Sequence, residues 1–70
     1  MPVVVAPEKT MLKVIKLLVD EKTKRHLENL GILVNSEIMI LSKNDGNVII
    51  KVKDGRLALN KDLALKIFVA

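Results

Sequence analysis

The chain contains no cysteine, tryptophan or tyrosine, and Phe68 is its only aromatic residue. Without cysteine it can form neither a disulfide nor a thiolate-held metal site. No segment reaches the ~20 apolar residues needed to span a bilayer. The apolar run Val3–Val5 has no basic region before it and is closed at Pro7, so no signal peptide is predicted. These absences favour a cytoplasmic protein.

Residues that could support catalysis are also scarce. His26 is the only histidine, and the only serines, Ser36 and Ser42, lack the flanking glycines of a nucleophile elbow. Three glycines in 70 residues leave no glycine-rich phosphate loop. The sequence therefore predicts no enzyme and no cofactor. Metal sensing through His26 stays open as an alternative, although Glu28 at i+2 does not share its helix face.

The residues that are present indicate one small globular domain spanning residues 1–70. Hydrophobic residues make up 50% of the chain and charged residues 29%, a balance typical of folded proteins. Valine, isoleucine and leucine dominate the apolar share, which favours strands over long helices. The first ten residues, with two prolines, predict a short edge strand with a turn at Pro7.

The next segment, Met11–Val19, consists almost entirely of strand-forming residues. Lys13 and Lys16 nevertheless fall on opposite faces of a strict two-residue alternation. A β-bulge, a strong bend, or an outer face that is covered by another part of the structure would each account for this pattern.

A short amphipathic helix is predicted from Asp20 to Leu30. Asp20 can cap its N-terminus, and Gly31 is well placed to end it. Leu27 and Leu30, with Thr23, form one narrow inward stripe. Both leucines are expected to anchor the helix to the sheet.

The rest of the chain predicts strands separated by tight turns. Asp45–Gly46 and Asp54–Gly55 are hairpin turn signals because these residues tolerate positive φ. Asn60 can cap a single helical turn before the last strand. The predicted strands cover residues 37–42, 48–53, 56–59 and 66–69. About five short strands in all indicate a mainly β fold, a small barrel.

The positive net charge, and strands with apolar residues on both faces, raise the question of a binding partner. The net charge is +4, and Lys43, Lys51, Lys53 and Arg56 could line one face of the hairpins, so a nucleic-acid-binding barrel is one alternative. Such barrels stack bases on aromatic side chains, which this chain lacks apart from Phe68. The strand Ile38–Leu41 is apolar on both faces, which favours a protein partner or a homo-oligomer instead.

Three motifs in order resemble the ferrous iron transport protein A family (FeoA). Arg25–Ile32 is similar to the family's R-x-L-x-x-L-G-[LIM] signature. Asp54–Leu59 and Asp62–Val69 resemble its closing motif, in which a small alanine and a leucine precede a basic residue and a final strand. Where many members have Pro-Gly, this chain has Asn35-Ser36, and Asn35 can adopt the same turn. The resemblance covers about Thr10 to Val69.

The resemblance implies an SH3-like barrel that assists ferrous iron uptake. Such a protein would bind the cytosolic part of the GTPase-containing iron transporter by protein–protein contact, without inserting into the membrane. A similar domain in metal-dependent repressors implies a repressor-type regulatory module as a further alternative. The signature carries no iron-binding or GTP-binding residues. The predicted partner-binding residues lie on the helix and the C-terminal segment: Lys24, Leu27, Glu28, Leu63 and Ile67.

Overall fold

A computed structural model describes all 70 residues and has five antiparallel strands in one sheet. The strands are β1 (Met11–Leu17), β2 (Glu37–Asn44), β3 (Asn47–Val52), β4 (Gly55–Leu59) and β5 (Ile67–Val69). Helix α1 (Glu21–Asn29) follows β1, and the single turn α2 (Lys61–Ala64) precedes β5. The strand order is β4-β3-β2-β1-β5, so β4 and β5 are the two edges and the curled sheet is not closed between them. The mainly β, five-stranded fold predicted from the sequence is confirmed.

The N-terminal segment differs from the prediction, because it forms a 3-10 turn at Val3–Val5 and not a strand. Only Pro2 pairs with the sheet, as an isolated bridge to Phe68. The backbone of Met1 both donates to and accepts from Val69. Proline has no amide to offer a ladder, which limits pairing on this side. The segment thereby covers the outer edge of β5.

A bulge in β1 resolves the position of its two lysines. Val14 pairs with Val69 and Lys16 with Phe68, so Ile15 is an extra residue in the strand. The extra residue shifts the alternation by one, and Lys13 and Lys16 both become exposed. Of the explanations that the sequence leaves open, the bulge is the one that the structure shows.

The core consists of fifteen buried residues, all of them apolar. Every strand contributes its inward positions, and Leu27 of α1 and Ile32 after it belong to the same cluster. Val3 and Ala6 of the N-terminal segment and Ala64 of α2 complete it. Phe68 is only half-buried, because Ile67 and Val69 occupy the inward positions of β5. No buried side-chain nitrogen or oxygen lacks a hydrogen-bond partner.

The predicted caps and the Asp45–Gly46 turn are formed. The second turn differs from the prediction, because it consists of Lys53 and Asp54, and Gly55 is already the first residue of β4. The Asp20 carboxylate accepts a hydrogen bond from the Thr23 amide at 2.8 Å, and the Asn60 side chain accepts one from the Leu63 amide at 2.9 Å. Asp45 and Gly46 have φ values of 53° and 86°, as a two-residue hairpin turn requires.

The end of α1 explains why Leu30 is not an anchor. Gly31, at φ +100°, donates to the carbonyl of Glu28, and Ile32 donates to that of Leu27. This pattern is a Schellman motif, in which the second residue past the helix packs back on its last turn. Ile32 therefore takes the core position beside Leu27, and Leu30 is left 37% exposed.

Candidate partner-binding surface

The five predicted partner-binding residues do not form one surface. Leu27 is 1% exposed and Ile67 is 0% exposed, since both are needed to fill the core of a thin domain. The prediction that Leu27 and Ile67 contact a partner is therefore wrong, because side chains in the core are not accessible to it. Lys24, Glu28 and Leu63 are half-buried and retain accessible atoms.

A rigid turn between α1 and β2 exposes a group of apolar side chains. Ser36 Oγ accepts a hydrogen bond from the Leu33 amide at 3.1 Å and donates one to the Leu33 carbonyl at 2.6 Å. Asn35 supplies the positive φ, 76°, as its sequence position predicted. The turn is tied to β1 by hydrogen bonds from the Asn35 amide to the Val14 carbonyl and from the Val14 amide to the Ser36 carbonyl. Leu33 and Val34 are therefore held outward, with Leu33 44% exposed.

An open cleft of about 650 Å³ lies between this turn, the end of α1 and the turn that joins β3 to β4. We call it the α1-end cleft. Its apolar lining comes from Leu30, Leu33, Val52 and Leu57, and its charged lining contains both signs. The charged residues are Glu28, Glu37, Lys53, Asp54 and Arg56. Apolar surface ringed by mixed charge suits recognition of a protein segment.

A second cleft, of about 620 Å³, lies beside α2 on the outer side of β2, β3 and β4. We call it the α2 cleft. Leu63 lines it together with Ile49, Ala58 and three asparagine side chains, those of Asn44, Asn47 and Asn60. Glu28 and Leu63 thus line different clefts, and the surface predicted from the sequence is divided between them.

Two charged residues on α1 flank its buried stripe. Lys24 and Glu28 are four residues apart, so their side chains are neighbours on one flank of the helix. Both are half-buried beside Leu27, and Glu28 also lines the α1-end cleft. This flank is the part of the predicted helix surface that remains available.

The carboxylate of Asp20 serves the helix and not a cleft. The hydrogen bonds from Thr23, helped by the charge of Lys66, hold the pKa of Asp20 below its ordinary value of 3.8. His26 is exposed on the same helix. No three histidine, cysteine, aspartate or glutamate residues lie close enough together to hold a metal ion. No helix has the length and apolarity needed to cross a bilayer.

The residues that the sequence reading missed are Leu33 and Val34. They form an apolar pair between a helix-ending glycine and Asn35-Ser36, which is a turn signal. Apolar residues inside a turn have no inward strand face to occupy. That signal was available in the sequence, but only the hydrogen bonds of Ser36 show that the pair is held on the surface.

A family model described as the FeoA domain matches residues 1–70. No curated protein matches the chain by sequence. Among solved structures, an iron uptake regulatory protein (FeoA) is similar over 100% of this chain and 93% of its own, at 24% identity and a TM-score of 0.85. A FeoA-like protein from Clostridium acetobutylicum is 25% identical, with a TM-score of 0.82, over 100% of this chain and 84% of its own.

ScaR and a manganese-dependent transcriptional repressor share the same fold. The structure of ScaR with bound Zn²⁺ is 21% identical, with a TM-score of 0.86 over 99% of this chain. This chain spans only 35% of the ScaR chain and 40% of a manganese-dependent transcriptional repressor. At such identities the likeness shows the fold alone. The family resemblance and the SH3-like fold class predicted from the sequence are both confirmed.

Proposed function

The chain belongs to the FeoA domain family, and from this we propose that it regulates ferrous iron uptake by binding the cytosolic part of the GTPase-containing iron transporter. The observation that carries the proposal is the family match across residues 1–70. The shared fold with an iron uptake regulatory protein supports it. The role is one of protein recognition in the cytoplasm, and it requires no catalytic group.

The α1-end cleft is the contact surface that the geometry supports best. Leu33 and Val34 are held on the surface by the Ser36 hydrogen bonds, so little conformational entropy is lost when a partner covers them. Lys24 and Glu28 lie on the neighbouring helix flank and can contribute polar contacts at the rim. A protein interface of ordinary size covers about 800 Å² per partner. Against a total accessible surface of 4476 Å², such a contact extends well beyond Leu33 and Val34.

The test is a titration of the folded protein with the transporter's isolated cytosolic domain. Leu33→Ser should weaken binding about tenfold or more, because it removes a central apolar contact. Val5→Ser is the matched control, since Val5 is 63% exposed on the N-terminal turn and lines neither cleft. It should change the affinity by less than about twofold. Absence of any binding at micromolar concentrations would count against the proposal itself.

Leu63→Ser shows which of the two clefts binds the transporter, because Leu63 lines only the α2 cleft. If this variant weakens transporter binding and Leu33→Ser does not, the contact surface lies at the α2 cleft. If both weaken it, the partner spans the two clefts. If both bind as the unaltered protein does, the assignment of the surface to these clefts is wrong although the partner is right.

Metal sensing through His26 stays a prediction with its own measurement. Ferrous or zinc ions would raise the thermal unfolding temperature of the protein, and His26→Ala would abolish that response. An equal response in both proteins would exclude His26 as a ligand.

A further inference from the structure

A row of four side chains crosses the outer face of the sheet. Met11 pairs with Met39, Met39 with Lys51, and Lys51 with Arg56, each directly opposite the next. Residues directly opposite on neighbouring strands project to the same face. The row therefore lies side by side on β1, β2, β3 and β4, and we call it the outer row.

The basic end of the outer row is poorly neutralised by the protein itself. Lys51 and Arg56 are exposed and directly opposite each other, an arrangement that destabilises a strand pair. Lys53, two residues further along, is also exposed. Two carboxylates lie nearby: Glu37, directly opposite Lys13 on β1, and Asp54, in the turn between Lys53 and Arg56. They are outnumbered by the four cations Lys13, Lys51, Lys53 and Arg56. A fold that keeps like charges together in this way presents a site for an anionic group.

The apolar end of the outer row contains a small depression. It has a volume of about 170 Å³ and is lined by Met11, Met39, Glu37, Lys51, Val52 and Lys53. This equals roughly six water molecules at their bulk volume, room for one aliphatic side chain. Methionine side chains adapt their shape to such a group, and the lysine stems extend the apolar wall.

We propose that the outer row is a docking surface for an extended acidic segment of another protein. One aliphatic side chain of the segment enters the depression between Met11 and Met39, and its carboxylates pair with Lys51, Lys53 and Arg56. Neighbouring strands lie about 4.8 Å apart, so the row spans about 14 Å, or roughly four extended residues. This proposal goes beyond the binding of the iron transporter, although Lys53 and Arg56 also line the α1-end cleft, so the two surfaces adjoin.

A peptide fits this surface better than a nucleic acid does. Proteins that hold single strands stack the bases on aromatic rings beside their cations. Phe68 is the only phenylalanine, tyrosine or tryptophan of this chain, and it lies on β5 beside Pro2, at the opposite edge of the sheet from β4. The depression is lined instead by methionine, which offers no flat face to a base.

The test measures binding of a labelled, end-capped peptide that has a central leucine between pairs of glutamates. We expect saturable binding at low salt that weakens as salt is added. Lys51→Glu should weaken it about tenfold or more, and Lys22→Glu by less than about twofold. Lys22→Glu is the matched control because Lys22 is exposed on α1, outside the outer row, and the substitution changes the net charge by the same amount.

The stability of the Lys51→Glu variant can be checked separately from its binding. It replaces the like-charged pair with an opposite-charged one across from Arg56, so its urea unfolding midpoint should be at or above that of the unaltered protein. A loss of peptide binding by this variant therefore cannot arise from unfolding.

Two further comparisons distinguish the chemistry of the site. Replacing the peptide's leucine by serine should weaken its binding to the unaltered protein. The same replacement should have little effect on binding to the Met39→Gln variant, because that variant already lacks the contact with the leucine. A single-stranded oligonucleotide of equal charge should bind more weakly than the peptide. Equal losses from Lys51→Glu and Lys22→Glu, tighter binding of the oligonucleotide, or no peptide binding at millimolar concentration would each overturn the proposal.

Discussion

Replacing Leu27 by alanine should remove much of the stability of this domain. Leu27 is 1% exposed and is the side chain by which α1 enters the core. Truncating a buried leucine costs about 2–5 kcal/mol, through lost burial and the cavity left behind. A domain of 70 residues has a stability of roughly 4–10 kcal/mol. Leu27→Ala should therefore remove about half of it.

The matched control is Leu30→Ala, in the same turn of chain. Leu30 is 37% exposed because Ile32 takes the neighbouring core position, so this change should cost less than about 1 kcal/mol. Both variants can be unfolded in urea and followed by far-ultraviolet circular dichroism, since the chain has no tryptophan or tyrosine to report by fluorescence. With a slope of about 1 kcal/mol per molar urea, Leu27→Ala should lower the midpoint by about 2 M or more. Equal midpoints for the two variants would refute this account of how α1 is anchored.

Two further changes test the ends of α1. Asp20→Ala should lower the urea midpoint at pH 7, because it removes the hydrogen bond to the Thr23 amide. The pKa of Asp20 is lowered by folding, so its ionised carboxylate stabilises the folded state above pH 3.8. This stabilisation is lost as the pH falls through the lower pKa of the folded state. A difference in urea midpoint between Asp20→Ala and the unaltered protein that stays constant to pH 2 would contradict this. Gly31→Ala should cost about 1–2 kcal/mol because Gly31 has φ +100°, while an added Cβ would lie at an ordinary 3.6 Å from Val52. Asparagine tolerates that φ better than alanine does, so Gly31→Asn should lose less stability in the same urea titration. Equal losses of stability for the two variants would mean that the cost comes from packing and not from the backbone.

The sequence predicted the local structure well where a few neighbouring residues determine the backbone conformation. The Asp20 and Asn60 caps, the Asp45–Gly46 hairpin and the positive φ of Asn35 each depend on groups within three or four residues. The β1 bulge was visible because Lys13 and Lys16 violate a two-residue alternation. Such features are determined by local sterics and hydrogen bonding, so their residue types are sufficient to predict them.

Positions that depend on distant partners were harder to assign. The N-terminal residues are apolar enough for a strand, but the structure uses Met1 and Pro2 to cover the edge of β5 and turns the chain at Val3–Val5. Leu30 satisfied the helical periodicity, yet Ile32 fills the core position beside Leu27. In both cases the outcome depends on contacts with residues that are distant in sequence or on packing in the core, and not on the propensity of the segment itself.

The absence of cysteine and the shortage of aromatic residues excluded disulfides, thiolate-held metals and base stacking before any fold was known. By itself, the sequence also determined the strands and helices after Thr10, the two helix caps, the Asp45–Gly46 turn and the family, since these follow from local chemistry and motif order. Only the tertiary structure decided which residues are available to a partner: it buried Leu27 and Ile67, exposed Leu33, and placed Lys51 opposite Arg56. Exposure and cross-strand neighbours depend on register and on competition for a thin core, which are properties of the whole sheet and not of any one segment.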